Sequence, residues 1–170
     1  MIPLPIAAST VLTWSKIPHS RDYELTRNGE IVGTLRRPSI WSSKSIAAAQ
    51  NREWIFRRGW SGGTGIEILD SPSERRVATF KSGWTARGVL TLADGQTFHM
   101  ECKGWWHPVW SVVGQDHQPV LRIHRREKTV ELANVSGFSA ERLSLLTMFA
   151  WYRILQAEED AAATAFMAAS

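Results

Sequence analysis

Leu143-Ser144-Leu145-Leu146-Thr147-Met148-Phe149-Ala150-Trp151-Tyr152 is apolar on every side of a helix, in a chain otherwise written in strand code. At about 100° per residue, Leu143, Leu146, Met148, Phe149, Trp151, Ile154 and Leu155 fall all round the helical wheel, so no face is left for water. Something must wrap such a helix. A bilayer requires about 20 consecutive apolar residues. This run is bracketed by Glu141 and Arg142 before it and Arg153 after it. A transmembrane span is therefore not expected, and the wrapping has to come from the rest of the chain.

The composition suits that role. With 170 residues, 44% hydrophobic and 21% charged, the chain is expected to form a single domain over residues 1–170. The start, Met1 to Trp14, has no basic n-region, and Pro3 and Pro5 interrupt its apolar stretch, so no secretory leader is expected. Cys102 is the only cysteine, which rules out an internal disulfide and fits a reducing compartment. The expected location is the cytoplasm, free or at a membrane surface. The net charge of +4 tilts the protein towards anionic partners.

Residues 11–134 alternate short β-rich runs with turn chemistry. Tyr23–Arg27 and Glu30–Leu35 flank Asn28-Gly29, and Val89–Ala93 and Thr97–Glu101 flank Asp94-Gly95; both are strong hairpin signals because the turn residues tolerate positive φ. Further strands are expected at Val11–Trp14, Ser42–Ala48, Glu53–Arg58, Gly65–Asp70, Arg76–Lys81, Val109–Val113, Val120–Arg125 and Thr129–Ala133. Ser45–Gln50 also reads as a helical turn. About a dozen strands of ~5–6 residues point to an all-β barrel or sandwich. The helix is expected over 139–157, with Ser139 as its N-cap and an Ala-rich tail over 158–170.

A weak repeat joins the strand ends: Leu35-Arg-Arg-Pro-Ser-Ile-Trp41, Phe56-Arg-Arg-Gly-Trp60, Phe80-Lys-Ser-Gly-Trp84 and Cys102-Lys-Gly-Trp-Trp106. If the strands run up and down, each of these junctions falls on one rim. Arg36, Arg37, Arg57, Arg58, Lys81, Arg87, Lys103, Arg125, Arg126 and Lys128 would gather there with Trp41, Trp60, Trp84, Trp105 and Trp106. The opposite rim collects polar turns. The helix should start at the polar rim, cross the barrel over ~15 Å for ten residues, and bring Arg153 and Gln156 out at the basic rim. Glu158-Glu159-Asp160 would then face the arginines.

A closed, mostly antiparallel barrel of about twelve strands around an apolar C-terminal helix resembles the tubby C-terminal-like fold, shared by tubby domains, phospholipid scramblases and LURP-one-related proteins. The resemblance covers roughly Trp14 to Ala157. It rests on the Tyr23–Leu35 hairpin, the repeated basic-Gly-Trp turns and the Leu143–Tyr152 helix, which are similar to those of small bacterial members. It implies a barrel with a filled lumen and, for some branches, association with membrane lipid. No ligand motif of the better known branches matches this chain residue by residue. A lipocalin-like barrel is the competing architecture, but its outside helix should be amphipathic.

Motifs for catalysis fail on context. Gly59-Trp-Ser-Gly-Gly63 has the G-x-S-x-G pattern of a nucleophile elbow, which requires a following helix, whereas Thr64–Leu69 reads as a strand. His99, Cys102 and His107 include zinc-ligand types, but His99 and Cys102 have opposite parity on one strand and point to opposite faces. Neither a metal nor another cofactor is expected. Glu67, Glu101 and Glu131 read as solvent-face residues, or one of them as the partner of a buried Arg153.

The leading expectation is therefore a non-enzymatic binding module that contacts anionic lipid or another anionic ligand through Arg36, Arg37, Arg57, Arg58, Trp60, Trp84, Lys103, Trp105, Arg125 and Arg126. Nucleic acid is disfavoured by the modest charge and the lack of a recognisable motif. The alternative is a protein-interaction scaffold or homodimer anchored by exposed tryptophans.

Overall fold

The computed structural model describes residues 10–38, 42–60, 65–83, 87–104 and 106–168, without the side chains of Trp60 and Phe166. Twelve strands form a closed barrel in which each strand pairs antiparallel with its sequence neighbours. They are β1 (Thr10–Lys16), β2 (Tyr23–Arg27), β3 (Glu30–Arg36), β4 (Lys44–Ala49), β5 (Arg52–Trp60), β6 (Gly65–Asp70), β7 (Arg76–Ser82), β8 (Gly88–Leu92), β9 (Thr97–Lys103), β10 (Val109–Val113), β11 (Pro119–His124) and β12 (Thr129–Leu132). Closure comes from β1 against β12, with Thr10 opposite Leu132 and Thr13 opposite Thr129. The Asn28-Gly29 turn has φ of 52° and 84°, the left-handed pair that a two-residue hairpin requires. Ser45–Gln50 is not a helical turn: β4 covers most of it, and Ala47 and Ala49 alternate inwards with no exposed surface.

The helix α1 (Ala140–Ala168) runs through the barrel. Ser139 caps it, its Oγ accepting from the Arg142 N–H at 3.2 Å. Residues 143–156 are buried without interruption, about 21 Å of helix, which matches the height of a strongly tilted strand wall. Phe149 packs between Phe56 and Phe80, with centroids at 6.1 and 4.9 Å, and Tyr152 lies against Phe56 at 4.8 Å. On the β3 and β4 side the wall is thin. A Cβ placed on Gly33 would stand 2.8 Å from Sδ of Met148, so a larger residue there would make the flexible end of that side chain shift.

The helix does not end at residue 157 as the sequence suggests. It continues to Ala168, because alanine is the strongest helix former and needs no apolar stripe to remain helical. Gln156 Nε2 supports this extension by donating to Asp160 Oδ1 one turn on at 2.9 Å. Among the described residues, no helix is long and apolar enough to cross a membrane.

Candidate anion-binding site

Strand parity sorts the basic residues that the repeat groups together. Leu35, Phe56 and Ile123 point into the lumen, so Arg37, Arg58 and Arg125, each two residues further on, lie on the inward side at the barrel mouth. Arg36 and Arg57 have the opposite parity and stand on the outer wall. There Arg36 pairs with Glu53 at 2.8 Å, and Arg57 pairs with Glu67. Lys103 is also outward, exposed and 3.8 Å from Glu101. Arg126 is exposed in the turn after β11 and borders a cleft of about 260 Å³ that also includes Trp106, Pro108 and Val109. The ten expected site residues therefore do not converge. Trp84, Trp105 and the Trp60 side chain lie outside the described residues, as does Trp41.

The three inward arginines each meet one acid of the helix. Arg125 Nε donates to Glu158 Oε1 at 2.7 Å, Arg37 Nη1 pairs with Glu159, and Arg58 Nη1 lies 3.8 Å from Asp160 Oδ1. Arg37 is the most confined of them, its side chain only 6% exposed. Its backbone N–H donates to Asp22 Oδ1 at 3.0 Å and its guanidinium stacks over Tyr23, 5.6 Å from the ring centroid. Nε and Nη2 of Arg37 are buried with no hydrogen-bond partner among the described residues.

Arg153 and Gln156 do not emerge at the rim; both remain buried just inside it. None of the expected carboxylates reaches Arg153. Glu67, Glu101 and Glu131 point outward, where Glu67 meets Arg57 and Glu131 meets Arg122. Arg153 instead lies over the Phe80 ring at 5.1 Å, with its Nε unpartnered. Burial lowers its pKa from the ordinary arginine value, against the opposing influence of Tyr152 and Asp160. Burial raises the Tyr152 phenol, whose hydroxyl also has no partner among the described residues, and the charges of Arg58, Arg153 and Arg37 oppose that shift. These polar groups gather at the bottom of the mouth.

Above them is a cleft of about 180 Å³ bordered by Arg21, Arg37, Lys44, Arg58, Ser42, Ser45, Gln156, Glu159 and Asp160. Among the described residues, four cations face two carboxylates there, which leaves a surplus of positive charge around donors that are already desolvated. Arg21, Lys44 and Ser45 are absent from the expected site because the basic-tryptophan repeat that defines it marks the ends of odd strands. The beginnings of even strands lie on the same rim, as the pairing of Lys44 with Arg57 shows. No metal-type cluster of His, Cys, Asp and Glu occurs among the described residues. Ser61 lies outside them, and β6 follows where a nucleophile elbow requires a helix.

No family model, curated protein or solved structure matches this chain.

Proposed function

We propose that this barrel is a non-enzymatic binding module that holds an anionic group in the cleft beside Arg37, whether the group sits on a membrane lipid or on a free anion. The observation that carries this reading is Arg37 itself, a guanidinium with 6% exposure and two unpartnered N–H donors at a cleft with surplus positive charge. An unmet buried donor costs about 1–3 kcal/mol, which an incoming oxyanion would recover. Vesicles with and without anionic lipid separate the two sources when compared with inorganic pyrophosphate in solution. Pelleting only with anionic vesicles assigns the group to the lipid, binding of pyrophosphate alone assigns it to a free anion, and Arg37→Gln should weaken either by about tenfold, as expected for a charge-assisted contact. Equal pelleting with neutral vesicles together with no pyrophosphate binding would refute the proposal.

A second reading, a protein partner or homodimer, has one specific support. Trp106 is 85% exposed beside Pro108 and Val109, an arrangement suited to an interface anchor. A mass by light scattering that stays monomeric at high concentration, and is unchanged by Trp106→Ala, excludes the homodimer form.

A further inference from the structure

Glu158, Glu159 and Asp160 are consecutive on one helix, yet they meet arginines from three separate parts of the rim. Helical geometry explains how. Successive side chains are turned by about 100°, so Glu158 and Asp160 point about 200° apart. Their partners follow β11 and lie on β5, six strands apart and therefore opposite each other in a twelve-stranded barrel. Glu159 points between them, to Arg37 just beyond β3. The helix end is thus a compact polyanion held on the barrel axis.

We propose that this acidic turn is an intramolecular competitor for the cleft, and that an external polyanion binds by displacing Glu159 and freeing the helix beyond Gln156. The inference rests on the anion-binding reading above and adds the group that a ligand must replace. Beyond Gln156 burial stops: Ala157 to Glu159 are half-buried, and the described side chains from Asp160 to Ala168 are exposed. Among the described residues, the three ion pairs and helical continuity are the main ties of this segment to the barrel. The acids of those pairs are 34%, 40% and 63% exposed; the Arg125 and Arg58 pairs, open on both sides, are individually weak and screened by salt, while Glu159 is held by the buried Arg37.

The chemistry of the exchange also limits the ligand. A monocarboxylate replacing Glu159 gains nothing over it. An oxyanion with two or more charges and several acceptor oxygens engages Nε and Nη2 of Arg37, which Glu159 leaves unmet, together with Arg58 or Lys44. The ligand class is therefore a polyanion of the phosphate type.

The test titrates the full chain and E158Q/E159Q/D160N with inorganic pyrophosphate, and follows amide hydrogen exchange of residues 157–168. The variant should bind about three- to tenfold more tightly, the range set by weak exposed pairs, although it is less stable. A purely structural role predicts the loss of stability without the gain in affinity. In saturated wild type, 157–168 should lose protection while 143–156 keeps it, a readout that remains if the variant fails to fold. Equal affinities, or unchanged protection of 157–168 at saturation, overturn the competitor and leave the anion site standing. Absence of pyrophosphate binding by both proteins overturns the competitor and the free-anion form of the site together.

Discussion

At the polar rim the helix begins in a cleft of about 350 Å³, where Arg52, Arg75 and Arg142 face Asp70, Asp94 and Glu141, three cations against three carboxylates. At the basic rim it leaves past four cations and two carboxylates. The pairing differs as much as the count. Arg142 donates to Asp94 Oδ2 at 2.5 Å and to Gln96 Oε1 at 2.6 Å, while Arg52 bridges Glu141 and Asp70. None of these residues has a buried unpartnered polar side-chain atom among those described, although Arg27 beside the Asn28-Gly29 turn has one; at the basic rim Arg37 has two and Arg153 one. The balanced end fastens the helix in the barrel. The unbalanced end holds cations in excess and donors unmet, which is what the proposed anion site draws on.

This contrast can be broken in order of expected effect. Phe149→Ala, midway between the rims, should cost about 3–5 kcal/mol, read as a drop in denaturant midpoint with the slope unchanged; a loss below ~1 kcal/mol would mean that the helix is not the main filler of the lumen. Arg142→Met should cost about 1–2 kcal/mol, since charge-assisted bonds at a partly exposed site are lost, and should leave anion binding intact. Arg37→Met reverses that pattern, with less than about 1 kcal/mol change in stability because two unmet donors disappear with the guanidinium, and anion affinity falling about tenfold or more. If Arg142→Met reduced affinity as much as Arg37→Met, the rims would not differ in role. Arg36→Gln tests the parity argument: it stands on the outer wall, so both midpoint and affinity should match wild type within error.

Much of the architecture was legible because its signals are local. Asn28-Gly29 and Asp94-Gly95 set hairpins, strand parity sets the wall, and the run from Leu143 to Tyr152 has no wet face. The helix beyond Ala157 was not legible from apolar periodicity, since alanine carries the helix by propensity there rather than by pattern. At the site, the pairing of the acidic turn with the arginines was readable from direction and length. Which arginines would take part was also within reach: counting two residues from Leu35, Phe56 and Ile123 selects Arg37, Arg58 and Arg125 over Arg36, Arg57 and Arg126. The surroundings of a buried Arg153 were not, because they depend on Phe80 and Asp160, which only the three-dimensional structure brings near it.

The order of the chain has a consequence for biosynthesis. Residues 10–13 cannot close the wall until 129–132 have been made, and the segment that fills the lumen is synthesised after both. A nascent chain carrying all twelve strands still has an unfilled apolar interior lined by Leu12, Phe56, Phe80 and Phe98. Closure and filling therefore both wait until residues 10–156 have left the ribosome. Long-range closure of this kind is slow. A premature stop before Leu143 would release a sticky hollow sheet, a substrate for chaperones and proteases rather than a smaller version of the protein.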